Sequence, residues 1–194
     1  MEKIRLGVLG SGKGSNFRAI QEAIVRGELP AETRIVISDV ENAGILTLAR
    51  SHGIKALHLP PGRFKTKLEP EIEGRIVQLL NDECVDLVVL AGYMRMVKQP
   101  MLDAFPKRII NIHPSLLPKH PGIEAWKQAL ASGEKVTGCT VHYIDAGMDT
   151  GEIIARSEVP ILAGDTPETL HARIQVAEHL LYPEVIRRLA VARS

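Results

Sequence analysis

A chain of 194 residues that is 45% hydrophobic and 24% charged has ordinary globular composition and is long enough for one domain with a substantial core. Lysine plus arginine (24) nearly balances aspartate plus glutamate (23), so the basic excess of a nucleic-acid binder is missing and no nucleic-acid partner is expected. Two cysteines, Cys84 and Cys139, are too few for a disulfide framework and have no companions at metal-ligand spacing. No apolar run approaches the ~20 residues of a membrane span and the amino terminus lacks a signal-peptide core, so a soluble cytoplasmic protein with no membrane partner is expected, both thiols filling apolar space.

In chain order, "KIRLGVL" reads as a buried strand, and "NFRAIQEAIV" as a helix from Ser15 with Phe17, Ile20, Ile24 and Val25 on one face. "TRIVISD" is a second strand, "GILTLARSHG" a helix that Gly53 can end, and "KALHL" a short third strand. "EPEIEGRIVQLLNDE" brings Ile72, Ile76, Leu79 and Leu80 to helical spacing, and "VDLVVLAG", the most fully apolar strand, is the expected sheet centre. "KRIINIHPS" is a fifth strand and "IEAWKQALASG" a helix; "KVTGCTVHYID" and "GEIIARSEVP" then come as consecutive strands of a hairpin. The last helix starts where Asp165 or Thr166 can cap and Pro167 suits the first turn, and it runs to about Ala190. The fold class is therefore α/β, Rossmann-like, with a mostly parallel central sheet, helices on both faces and an antiparallel strand pair near the carboxyl terminus. One domain, 1–194, is expected.

Parallel sheets place ligands at the carboxyl ends of their strands, which draws attention to "GVLGSGKGSN". A Walker A loop fails at its last position, where Gly14 stands in place of the magnesium-binding hydroxyl, and a dinucleotide fingerprint fails at Ser15, which replaces the third glycine. Asp39, at the end of the second strand, could mimic a ribose-binding acid. What both motifs share survives: small residues let backbone N–H groups close on an anion at a helix start, with Gly14, Ser15 and Asn16 placed for one phosphate. The alternative is a ligand-free sharp turn with Ser15 as helix cap.

The second concentration of unusual residues is "IINIHPSLLPKHPG". Strand alternation sends Asn111 and His113 to one side, and Pro114, Pro118 and Pro121 stiffen the loop beyond them. Downstream, "GCTVHYIDAGMDTGEII" offers Asp149 and its rival Asp145 in one glycine-flanked turn, and either can simply cap that turn.

Taken together, "GSGKGSN", "LAGYMRMV", "NIHPSLLPKHPG" and "GCTVHYIDAGMDTGEII", in that order, resemble the phosphoribosylglycinamide formyltransferases of the folate-dependent formyltransferase family over essentially the whole chain. The resemblance implies transfer of a formyl group from the co-substrate 10-formyltetrahydrofolate to glycinamide ribonucleotide in purine synthesis. It implies a catalytic group of Asn111, His113 and Asp149, a phosphate site at Gly14, Ser15 and Asn16, and Gln175 and Glu178 on the side of the substrate amine. The folate side falls to Met94, Arg95, Met96 and Val97, with Asn111 adjoining. The ribonucleotide's phosphate would thus belong to an amino-terminal half of about 1–100, and the folate and the chemistry to a carboxyl-terminal half of about 86–194. A homodimer is left open.

The implied chemistry is physically coherent. An amine attacking a formyl carbon builds an oxyanion for which the Asn111 amide and a protonated His113 are donors, and Asp149 favours that imidazolium. No metal is expected, because no second histidine or cysteine stands at a spacing that demands zinc. Where many family members carry Phe-x-x-Arg, "FKTK" gives Phe64 and Lys67, keeping the charge but losing the bidentate fork, so Lys67 is a folate contact or a solvated loop charge. The rivals are a formyl-folate hydrolase, which has no use for a phosphate loop, a transfer-RNA formyltransferase, which needs a further domain and basic surface, and a non-catalytic nucleotide sensor.

Overall fold

A computed structural model describes residues 3–193. Seven strands form one sheet in the order β3-β2-β1-β4-β5-β6-β7: β1 (Ile4–Leu9), β2 (Ala31–Ser38), β3 (Lys55–His58), β4 (Leu87–Leu90), β5 (Ile109–His113), β6 (Val136–Tyr143) and β7 (Ile153–Pro160). The first five are parallel; β6 runs antiparallel to both β5 and β7. The apolar run expected at the sheet centre is β4, with three strands on either side.

Alternation along the buried strands splits the core in two. Leu6, Val8, Val36, Leu87 and Val89 face α1 (Ser15–Val25), α2 (Gly44–Ser51) and α6 (Pro167–Val191), while Leu9, Ile35, Ile37, Val88 and Leu90 face α3 (Pro70–Asp82) and α4 (Gln99–Ala104). The short α5 (Ala125–Ala131) lies on the α6 side, where the Trp126 ring stacks on His171 with centroids 3.7 Å apart. Gly7 lets α3 close on the sheet: a Cβ there would lie 2.4 Å from the Leu80 side chain.

Two local expectations change, one element is new and one alternative is decided. Val25, placed on the apolar face of α1, is 69% exposed; Gln21 and Ala23 are buried with Phe17 and Ile20 instead, because the buried stripe turns away before the helix ends. Cys84, expected in apolar space, is exposed in the left-handed turn that ends α3, with φ 51°, whereas Cys139 is buried. The six-residue α4 escapes the sequence because one turn and a half buries only Met101 within the helix. At the start of α6, Thr166 rather than Asp165 caps, in a capping box with Thr169; Asp165 instead holds Arg173.

Strand order reverses between β1 and β4, and the loops leaving their carboxyl ends touch: Ser11 N–H donates to the Gly92 carbonyl at 3.1 Å. A crevice at such a reversal is where open α/β sheets bind ligands.

Candidate active site

The glycine loop is shaped by what it packs against. A Cβ on Gly10 would lie 2.6 Å from Ile45 Cδ1, and one on Gly14, whose φ is +82°, would lie 2.9 Å from Ile45 Cβ. Gly14, not Ser15, is the N-cap of α1, and no side chain caps that helix. The first turn therefore presents its backbone N–H groups at the crevice with the positive end of the helix dipole behind them. Asn16, in that turn, donates through Nδ2 to Glu178 Oε2 at 2.9 Å, while its Oδ1 is buried without a partner. Glu178 is only 5% exposed, and burial pushes its carboxyl up to about 7.

The segment after β4 is tied to that loop. Ser11 Oγ accepts from the Met94 N–H at 2.9 Å and donates to Asp39, whose other oxygen accepts from Arg95 Nε at 2.7 Å. Asp39 is thereby spent on Ser11 and Arg95 rather than standing ready for a ribose. Arg95 also donates to the carbonyls of Phe64 and Lys65, so its guanidinium binds the 62–67 loop to the crevice. Lys67 forms a parallel bridge with Met96, and its exposed ammonium lies 4.4 Å from the Phe64 ring centroid. Met94 is 65% exposed and Val97 buried.

At the end of β5, Asn111 and His113 do share a side, and the antiparallel register puts Asn111 opposite His142 and His113 opposite Thr140. Asp149, in the left-handed region at φ 55°, brings Oδ2 to 3.4 Å from His113 Nδ1 and accepts from the Gly122 N–H at 2.8 Å. Asp145 takes the other role offered by the sequence: its Oδ1 accepts from Gly147 N–H at 3.0 Å and Thr150 Oγ1 at 2.7 Å, capping the turn.

His142 is the member that sequence reasoning missed. Its Nδ1 lies 2.9 Å from the Tyr143 carbonyl, which accepts only, so the proton is on Nδ1. Burial lowers its pKa and keeps the ring neutral, leaving Nε2 to accept from Asn111 Nδ2 at 3.4 Å, 3.8 Å from Asp149 Oδ1. The signal was an imidazole within a largely buried strand; only the register makes it a contact with Asn111. Gln175 lies half-buried on α6, one turn before Glu178. Among the described residues no hydrogen bond or ion pair joins Glu178 to Asn111, His113 or Asp149, and no group of three or more His, Cys, Asp or Glu is arranged to hold a metal ion.

A carboxyl-end crevice with an uncapped helix start on one side and two imidazoles and a carboxylate on the other is the architecture of an α/β enzyme acting on small molecules. The chain belongs to the formyl transferase family, whose model matches residues 4–186. It is 41% identical over 185 residues to the phosphoribosylglycinamide formyltransferase of Bacillus subtilis, covering 95% of this chain and 94% of that protein. It is 43% identical over 188 residues to a trifunctional purine biosynthetic protein, adenosine-3, of Drosophila pseudoobscura pseudoobscura, spanning 96% of this chain but 14% of that longer protein. The crystal structure of glycinamide ribonucleotide transformylase 1 from Symbiobacterium toebii superposes with a TM-score of 0.94 at 49% identity, over 98% of this chain and 89% of that one.

Proposed function

We propose that this chain transfers the formyl group of 10-formyltetrahydrofolate to the amine of 5′-phosphoribosylglycinamide, giving formylglycinamide ribonucleotide and tetrahydrofolate in de novo purine synthesis. The observation that carries this reading is the pairing, at the carboxyl ends of one sheet, of an uncapped α1 start with the Asn111–His113–Asp149 group. Gly14, Ser15 and Asn16 hold the phosphate, because the helix start offers backbone donors and no side chain competes for them. Gln175 and Glu178 hold the substrate beyond its phosphate, toward the amine, the buried Oδ1 of Asn16 standing ready for a donor from it.

The folate-side residues suit a flat apolar ring with an anionic tail. The exposed Met94 and half-buried Met96 offer apolar surface, backbone fixed by Ser11 and Thr66 supplies polar edges, and Lys67 supplies a positive charge. Arg95, with its side chain held by Asp39, contributes through its backbone.

In the reaction an amine nitrogen–carbon bond forms and a folate nitrogen–carbon bond breaks; the amine loses a proton and the folate nitrogen gains one. The formyl-folate supplies the electrophilic carbon. Asn111 Nδ2, steered by neutral His142, and the Nδ1–H of His113 are the donors for the oxygen that gains charge, and loss of one such donor typically costs ~10²–10³ in rate. Asp149 stabilises the imidazolium and completes the proton's route from amine to folate nitrogen. The exposed and unpaired thiol of Cys84 fits a reducing cytoplasm.

Purified protein is mixed with 10-formyltetrahydrofolate with and without glycinamide ribonucleotide. Deformylation only with the ribonucleotide supports transfer; release of formate without it identifies a hydrolase. His113→Asn is expected to abolish transfer while ribonucleotide binding, read by calorimetry, is retained; unchanged turnover sinks the assignment.

A further inference from the structure

The loop from Ser115 to Gly122 contacts the His113–Asp149 pair from outside, through two backbone groups only two residues apart. The His120 carbonyl lies 2.8 Å from His113 Nε2, and the Gly122 N–H donates to Asp149 Oδ2 at 2.8 Å. His120 reaches this position with φ 51°, a left-handed conformation that a non-glycine residue keeps only where its surroundings hold it.

Those surroundings are on hand. The fully buried Ser115 sends its hydroxyl to the Lys119 carbonyl at 2.6 Å and lies 3.3 Å from the His120 carbonyl. Thr140 Oγ1, on β6, donates to the Ser115 carbonyl at 2.7 Å and accepts from Leu117 N–H at 3.1 Å, anchoring the loop to the sheet. Glu134 takes both neighbouring side chains, Lys119 Nζ at 3.1 Å and His120 Nε2 at 3.3 Å.

We infer that His120 is a positioning residue: its backbone carbonyl fixes a proton on His113 Nε2 and so makes Nδ1, the nitrogen facing Asp149, the one at which the reaction's proton is held and released. A carbonyl can only accept, so Nε2 carries its hydrogen throughout. Neutral His113 then has its lone pair on Nδ1, and protonation there gives the imidazolium paired with Asp149. Nδ1–H donates to the charged oxygen, its proton passes to the departing folate nitrogen, and the amine's proton restores it. The same device sets His142, whose lock is the adjacent Tyr143 carbonyl.

The inference rests on His113 being the catalytic imidazole, and the test separates the two. His120→Gly and His120→Val both delete the imidazole, but only valine resists a left-handed φ. We expect kcat to fall roughly tenfold further in His120→Val than in His120→Gly, with KM for both substrates alike within about twofold, since the loss lies in proton handling rather than binding. In ¹⁵N-histidine spectra, with His113 assigned by its disappearance in His113→Asn, the Nε2 proton is expected to stay localised in the glycine variant and to exchange between nitrogens in the valine variant. Equal losses in the two variants, or a valine variant with undiminished kcat or an unchanged His113 spectrum, overturn the inference. If the valine variant does not fold, the surface change Glu134→Ala, which frees Lys119 and His120, must lower kcat without raising KM, and a wild-type kcat there overturns it too. Retained transfer in His113→Asn would instead unseat the catalytic assignment itself.

Discussion

At the scale of single residues, Glu178 carries the clearest pH signature. Its buried carboxyl titrates at about 7 because burial disfavours the charge more than the Asn16 amide favours it. The folded state thus binds this proton more tightly than the unfolded chain, whose glutamate titrates near ~4.3. Stability from this group is complete below the unfolded value and is lost as pH rises through about 7, by on the order of 3 kcal/mol. Glu178→Gln still accepts from Asn16 and has no charge to bury. Its melting temperature should exceed the wild type's at pH 8 and converge on it only near ~pH 4, below the unfolded value; a difference independent of pH would refute the burial argument. Residues were legible where their type was unusual for its setting, as with Asn111 and His113 at a strand end. The choice between Asp149 and Asp145 was not, because both sit in one turn and only the fold shows which faces His113.

At the scale of elements, the glycine loop and α1 work as one device, and Gly14 is its hinge. Gly14→Ala puts a Cβ into a left-handed residue and 2.9 Å from the Cβ and Cγ1 of Ile45, so the loop must shift off α2. We expect a loss of about 1–3 kcal/mol in denaturant unfolding. A clear rise in KM for the ribonucleotide should accompany it with little change in KM for the folate, measured by steady-state kinetics; a rise confined to the folate would contradict the phosphate assignment. Elements with long, strongly periodic sequences were readable to within a residue or two: α3 was expected over 69–83 and spans Pro70–Asp82. The failures were short or terminal. The helix α4 has too few residues for a period to show, and Val25 falls on the apolar stripe of α1 by spacing but beyond the point where the helix still meets the sheet.

At the scale of the molecule, alternating strands and helices gave the α/β class, but nothing local encodes the order β3-β2-β1-β4-β5-β6-β7, which is a fact about pairing. That order brings the glycine loop, after β1, to the same edge of the sheet as Asn111 and His113, at the end of β5. Tyr182 sits at the join. Fully buried on α6, its hydroxyl lies 2.9 Å from the Leu90 carbonyl of β4 and 3.0 Å from the Ile110 carbonyl of β5. The same helix packs on α1, β6 and β7, so it clasps both halves of the chain. Tyr182→Phe keeps the ring and removes the one donor, leaving buried carbonyls short of a partner at a cost of about 1–3 kcal/mol. For a chain of this length each kcal/mol lowers Tm by roughly 2–4 °C. Because the sheet is continuous across the join, calorimetry and near-ultraviolet circular dichroism should record a single coincident transition, shifted down in the variant. Two separated transitions would mean that the halves fold independently, and that the crevice between them is assembled by docking rather than built into one core.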